Sequence, residues 1–275
     1  MNSCTKLPVY FVSHGGGPWP WMMDQGGGMY DRLAASLRQM PAQVGAPPAA
    51  LLIVSAHWEA PEFSLMSNPQ PTMVYDYSGF PEHTYHVRYA APGAPALAER
   101  VRGLLEAAGV TARLDATRGF DHGTYSPLAV AWPAADVPVL QLSLKQGLDP
   151  AQHLALGRAL APLREQGVLI VGSGLSYHNL RAFGPAAKAP SAAFDGWLQQ
   201  TIVGTSAVQR AAGLLAWQDA PAARQAHPRE EHLLPLMVAA GAAGDDAATL
   251  VYHEDAFAGG VTVSSFMFGA AADGS

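Results

Sequence analysis

The chain has 275 residues, of which 49% are hydrophobic and 14% charged, with a formal net charge of -6 at pH 7. A chain this long and this apolar buries a sizeable core, which excludes a disordered polymer. The acidic balance and the lack of basic runs argue against nucleic acid or an anionic membrane as partner, and the apolar stretches are too short to span a bilayer.

The opening "MNSCTKLPVYF" lacks the charged-then-apolar layout of a signal peptide, so a cytoplasmic location is expected. Cys4 is the single cysteine. It leaves no internal disulfide and no cysteine-based zinc pattern.

In chain order, strand-like runs fall at 7–13, 49–56, 62–67, 137–144, 167–174, 248–253 and 260–268. Helix-like segments fall at 29–40, 94–108, 150–165, 190–203 and 229–241. Strands alternating with helices predict an α/β fold in a single domain, with its core at about 7–268. The expected architecture is a central mixed, mostly parallel sheet with helices on both faces. The proline-rich join at 41–48 reads as a loop, and the Gly/Ala-rich tail at 269–275 is expected to fray.

The first strand ends unusually. In "VYFVSHGGGPWPW" an apolar run stops at His14, and three glycines and a proline follow. His57 closes "LLIVSAH" in the same way, and His178 follows "VLIVGSGLSYH". Parallel strands present their carboxyl ends along one edge of a sheet, where ligands bind, so these residues can converge there. The glycines after His14 would let backbone or substrate come close.

One histidine at a strand end is ordinarily a hydrogen-bonded structural residue. Three in the same topological position predict a metal site at that edge, because gathering imidazoles costs free energy unless something uses them. His122, in "RGFDHGTYSP", reads as a loop residue near the same rim. In "AHPREEHLLPL", Pro228 reads as the first helical residue, with Glu230 and Glu231 in the first turn. His227 and His232 would then lie about 140° apart around the helix axis and would not share a metal. His232, inside the helix, is the preferred ligand. His83 and His86 read as surface or structural residues, His153 as a solvated helical residue and His253 as structural. Imidazole ligands suit zinc, iron, copper or nickel. Zinc with bound water would imply hydrolysis, and iron(II) with open positions would imply oxygen chemistry.

Taken in order, "SHGGGP", "VSAHW", "GFDHG", "GSGLSYHNL" and "PREEHLLPL" resemble the class III extradiol ring-cleaving dioxygenases. The resemblance is to the 4,5-DOPA extradiol dioxygenase branch, related to the catalytic subunit of protocatechuate 4,5-dioxygenase. It runs from about residue 8 to 268 and includes "GFPEHTYHVRYAAPGAPALAERV". Each motif alone is weak, but the five together are specific.

The resemblance implies a mononuclear Fe(II) site, with Zn(II) found in some members. His14 and His57 match two ligands. The third is a glutamate in the protocatechuate type and matches His232 here, with Glu231 as the neighbouring carboxylate alternative. His178 matches an acid/base histidine, or a fourth metal ligand in the DOPA branch.

The implied reaction opens the ring of a catechol with O2 to a muconic semialdehyde-type product. His178 would take and return the catechol proton, and His122 would stabilise developing charge. Trp58, Tyr125 and Tyr177 are candidate substrate contacts, with Trp19, Trp21 and Phe120 as further aromatics near the motifs. His83 or Arg88 is a candidate for a substrate carboxylate. The expected partners are a small-molecule catechol and O2, in a monomer or homodimer. The rival readings are a zinc hydrolase and a non-enzymatic metal-binding member of the superfamily.

Overall fold

Three of the four central strands of the sheet begin with unbroken apolar runs, as suits strands covered on both faces, and the fourth, Val139–Lys145, also carries the buried polar residues Gln141 and Ser143. The computed structural model describes residues 6–25 and 27–271. Cys4 and residues 272–275 of the tail lie outside the described residues. Strands β1 (Val9–Ser13), β2 (Ala50–Ala60), β3 (Phe63–Met66), β4 (Ala112–Asp115), β5 (Val139–Lys145), β6 (Val168–Gly174), β7 (Ala248–Phe257) and β8 (Val261–Phe268) form one eight-stranded sheet. Its order is β4-β3-β5-β2-β6-β1-β8-β7. Neighbours in the central block β5-β2-β6-β1 are all parallel. Beyond it, β3 pairs antiparallel with β5 and parallel with β4, while β8 runs antiparallel to β1 and β7. The single α/β domain with a mixed, mostly parallel sheet is therefore as expected.

The helices are α1 (Asp31–Val44), α2 (Pro95–Ala107), α3 (His122–Ala131), α4 (Pro150–Leu160), α5 (Lys188–Ile202), α6 (Ala207–Leu215), α7 (Ala223–Ala226) and α8 (Leu234–Ala243). Every residue of α8 is buried. It packs on β6 and β1 and against α4. Glycines let α4 and α8 touch: a Cβ on Gly157 would come within 2.1 Å of the Val238 carbonyl. On the other side of the site, α1 and α3 pack together and α3 lies against β2.

Four local expectations are corrected. Residues 122–131 form α3 rather than a loop. Gly123, Thr124, Ser126 and Pro127 are poor helix formers, but most of the segment is buried and tertiary packing overrides propensity. Pro127 lacks the N–H that would bond the Gly123 carbonyl, and the Ser173 hydroxyl of β6 donates to that carbonyl instead. The proline-rich join is in part helical, since α1 continues through Pro41 to Val44. His57 lies inside β2 rather than at its end, in the stretch where pairing with β5 shifts register between Val54 and Glu59. Finally, α8 starts at Leu234, so His232 belongs to the turn before the helix and not to the helix itself.

Candidate metal centre

The parallel block delivers the strand-end histidines to one rim. His14 directly follows β1, His57 sits in the distal half of β2, and His178 comes shortly after β6, which lies between them. His14 is fixed by its backbone: its N–H donates to Gly174 O at 2.9 Å, and its carbonyl accepts from the Trp19 indole at 2.7 Å. Gly15 adopts φ +81°, and a Cβ there would come within 2.4 Å of that indole nitrogen. Gly15, Gly16 and Gly17 line the cavity beside the histidines. The glycine run therefore serves both the turn and the open space.

His232 reaches the rim because Gly174 has no side chain. A Cβ on Gly174 would lie 2.1 Å from the His232 carbonyl, which accepts a hydrogen bond from the Leu175 N–H at 3.2 Å. His14, His57 and His232 each offer a ring nitrogen, and these atoms lie within 4.8 Å of one another.

Two carboxylates orient the rings. Asp76 receives His57 Nδ1 at 3.2 Å on one oxygen, and His122 Nδ1 at 2.8 Å on the other. The second oxygen also accepts the His122 backbone N–H at 3.1 Å, at the amino end of α3, where an anion is favoured. Burial opposes the charge on Asp76, but the His122 hydrogen bond and the attraction of His122 and His57 hold its carboxyl below the usual range. Glu231 Oε1 receives Nδ1 of both His178 and His232, each at 3.0 Å. Burial again opposes ionisation most strongly, but the His178 hydrogen bond, a backbone hydrogen bond and the attraction of His178 and Arg229 together outweigh it, so this carboxyl is also lowered.

An ionised carboxylate can only accept. The four Nδ1 atoms therefore carry the protons, and in the neutral rings each Nε2 holds a lone pair. The rings of His14, His57 and His232 are indeed held neutral. Burial, then the repulsion of His57 and His122, lowers the His14 pKa well below its ordinary value. Burial and His122 lower that of His57 to about 3. Burial, His178 and His57 lower that of His232 well below the ordinary value.

The donor set fits a cation. His57 Nε2 and His232 Nε2 face each other at 3.2 Å, two lone pairs with no proton between them. Two nitrogens on one first-row metal sit roughly 3 to 3.4 Å apart at metal–nitrogen distances of about 2.1 Å. His14 is 2% exposed, and neither of its ring nitrogens has a hydrogen-bond partner among the described residues. Buried polar atoms without partners are rare and signal a missing ion or water. A metal bound by these three imidazoles would take one nitrogen of each, including one of the two on His14.

His178 stacks on His232 with ring centroids 3.3 Å apart and planes 17° apart, and it groups with Glu231 and His232 rather than with the triad. Glu231, the alternative third ligand, likewise stands outside the triad and serves the far nitrogens. His122 lies beside His57, with ring centroids 3.9 Å apart. Beneath them is a buried polar cluster. Asp121 accepts from Ser55 Oγ at 2.6 Å, Gln141 Nε2 at 2.6 Å and Arg118 at 2.7 Å. Ser55 Oγ also accepts the His57 backbone N–H at 3.2 Å, which ties the irregular part of β2 to this cluster.

A cavity of about 440 Å³ opens over the histidines, walled in part by Tyr77, Phe80, Leu180, Phe183 and Phe257. The aromatics expected there do not line it. Trp58 follows His57 in the strand, and its side chain is buried against Arg118, whose guanidinium carbon sits 5.0 Å from the ring. Tyr125 is fully buried in α3, and Tyr177 is buried with its hydroxyl donating to Ala182 O at 2.8 Å. Trp19, Trp21 and Phe120 also lie outside the lining, as do His83 and Arg88. His153 is buried rather than solvated. His227 is buried too, and its Nε2 meets Ser176 O at 3.0 Å, away from the triad. Asp76 went unseen in the sequence. Its only signal is an acid within the aromatic stretch "VYDYSGF".

No helix among the described residues is long and apolar enough to cross a membrane. Residues 8–268 match the family described as the catalytic LigB subunit of aromatic ring-opening dioxygenase. The chain is 39% identical over 226 residues to a 4,5-DOPA dioxygenase extradiol of Beta vulgaris, covering 80% of this chain and 83% of the relative. It is 33% identical over 246 residues to one of Escherichia coli K12, covering 88% and 87%. The crystal structure of an uncharacterized protein from Escherichia coli K12 superposes with a TM-score of 0.76 at 27% identity, covering 96% of this chain and all of the other. The chain belongs to the family of the catalytic LigB subunit of aromatic ring-opening dioxygenase, in its branch of extradiol 4,5-DOPA dioxygenases.

Proposed function

We propose that the chain is an iron(II)-dependent extradiol dioxygenase that opens the ring of a catechol with O2. The product is a muconic semialdehyde-type acid. The observation that carries this reading is the meeting of three neutral imidazoles, two of them with facing lone pairs, on the floor of a cavity large enough for a substituted ring. His14, His57 and His232 are the proposed ligands. All-imidazole ligation also accepts zinc, so the metal has to be identified by experiment.

When bound, iron(II) would acidify the catechol hydroxyls and pass electrons between the ring and O2. Both oxygen atoms enter the product. The bond between one hydroxyl-bearing carbon and its unsubstituted neighbour breaks, and the four electrons that reduce O2 come from the ring, so no outside reductant is needed.

The remaining work is proton handling, and this chain has two histidines for it. Glu231 fixes the proton of His178 on Nδ1, which leaves Nε2 free to take a catechol proton and return it later. Asp76 fixes His122 in the same tautomer, so its Nε2 is an acceptor until it is protonated, and then it donates to developing negative charge. The apolar wall excludes water from the reacting ring.

The test is anaerobic reconstitution with iron(II) or with zinc(II), followed by a panel of catechols and O2. The iron form is expected to consume one O2 per catechol and give a yellow semialdehyde, whereas the zinc form stays silent. Oxygen-independent turnover of an ester or amide by the zinc form, with no catechol consumed, would replace this reading with a hydrolase.

A further inference from the structure

The proposed ligands His57 and His232 sit on segments far apart in the chain, and something has to set the distance between them. His57 lies in the irregular stretch of β2, and regular pairing with β5 resumes at Glu59, opposite Leu144. His232 lies in the 228–233 turn, where the Leu233 and Leu234 N–H groups donate to Glu230 O at 2.8 and 3.1 Å. The His232 carbonyl is tied to Leu175, just past β6, and not to β2.

Among the described residues, one hydrogen-bonded link joins this turn to β2. Arg229 donates from Nη1 and Nη2 to the two oxygens of Glu59, each at 2.5 Å. A guanidinium fork laid on a carboxylate fixes angle as well as distance. The same Nη1 stands 3.5 Å from Glu231 Oε2, a buried oxygen with no hydrogen-bond partner among the described residues. The other oxygen of Glu231 holds His178 and His232. Arg229 therefore touches both the strand of one ligand and the carboxylate that aims another. Its side chain is 55% exposed, so the pair adds little to the stability of the fold.

We infer that Arg229 is a positioning residue: with Glu59 it clamps the 228–233 turn to β2 and sets the spacing of His232 from His57 before a metal arrives. The inference rests on the ligand triad of the proposed function and not on the ring chemistry. A site already held at its spacing loses less conformational freedom on taking a cation, and the saving appears as affinity.

The opposite charges of the pair separate a clamp from plain electrostatics. By charge alone, removing Arg229 strengthens the binding of a cation and removing Glu59 weakens it. In a clamp both removals weaken it, and the second adds nothing to the first.

The test is zinc(II) affinity, read by competition with a chromophoric chelator, for the wild type, Glu59→Ala, Arg229→Ala and the double variant. His57→Ala alongside shows that the triad is the site titrated. Each single variant is expected to bind zinc(II) about fivefold more weakly, the upper end for an exposed pair, and the double variant to lie within about twofold of them. The metal-free variants are expected to melt within about 3 °C of the wild type, so the loss is not one of folding.

Arg229→Ala protein that binds zinc(II) as tightly as the wild type, or more tightly, overturns the inference. Additive losses in the double variant overturn it too, as do losses matched by larger falls in melting temperature. Wild-type binding no tighter than that of His57→Ala would remove the triad itself and the inference with it. No catechol enters the measurement, so a failure of the ring-cleavage reading leaves these outcomes unchanged.

Discussion

Asp76 holds His122 through one oxygen atom, Oδ1, which accepts both the ring Nδ1–H at 2.8 Å and the backbone N–H at 3.1 Å. Its other oxygen is left for His57 Nδ1 at 3.2 Å. An Asn at this position would keep its carbonyl on the two His122 donors and turn its NH2 toward His57. That NH2 can only donate, so the His57 proton would move to Nε2, the nitrogen that faces the triad. Asp76→Asn is therefore expected to bind metal 10- to 100-fold more weakly, the range for lost ligand-orienting partners. Metal analysis after dialysis against a buffered metal pool checks this, and wild-type occupancy would remove Asp76 from its positioning role.

Glu231 leads to the opposite expectation for its amide. A single oxygen, Oε1, accepts from both His178 and His232. A Gln can present its carbonyl oxygen to both rings and preserve both tautomers. Glu231→Gln is expected to retain its metal and lose only about tenfold in turnover, through the missing charge behind His178. Glu231→Ala should lose most of its metal. Equal metal loss in the two variants would show that charge, not proton placement, is what His232 needs.

Much of this rim is legible in the sequence. A β-branched apolar run that stops at a histidine is a local pattern, and parallel strands turn three such patterns into one edge. What is not legible is whatever depends on tertiary contact. Asp76 lies in irregular chain and acquires its meaning only from two histidines brought to it by β2 and α3. Likewise α3 hides behind glycine, threonine, serine and proline, because burial and the Ser173 hydroxyl replace the propensity it lacks. The aromatic wall is hidden from the sequence for a related reason. Trp58 is next to His57 in sequence, but neighbours in a strand face opposite sides.

Four histidine substitutions separate binding from chemistry. His14→Ala and His57→Ala each remove a proposed ligand and are expected to lose the metal. His122→Ala and His178→Ala are expected to keep it and to lose turnover by about 10²- to 10⁴-fold, the usual contribution of a positioned acid or base. Metal content and single-turnover rates on the same preparations make the comparison. Full iron occupancy in His57→Ala would end the ligand assignment.

Gly174 is a structural prerequisite for His232. An added methyl at 2.1 Å from the His232 carbonyl meets backbone, which cannot swing aside as a side chain end can. Gly174→Ala is expected to cost about 3 kcal/mol of stability, at the upper end of overpacking effects. Because relief of the clash would push the 228–233 turn outward, the variant should also bind metal more weakly at temperatures where it is folded. A variant with both properties at wild-type level would show that the turn has slack.

Acid should destabilise the fold through buried histidines outside the triad. The neutral form of His153 is locked from both sides: Nδ1–H donates to Asp149 O at 2.8 Å, and Nε2 accepts the Lys145 N–H at 3.3 Å. Burial lowers its pKa from 6.5 to about 4, and burial lowers that of His227 to about 4 as well. Between these pH values the unfolded chain binds a proton that the folded chain refuses, so stability is full above pH 6.5 and falls as the pH drops toward 4. Each such histidine contributes a slope approaching about 1.4 kcal/mol per pH unit across that window. Urea unfolding at pH 7, 5.5 and 4.5, with His153→Gln alongside the wild type, measures it. The variant should be less stable at pH 7 but lose less on acidification. Parallel pH profiles for the two proteins would mean that His153 does not titrate between the folded and unfolded states as its burial requires.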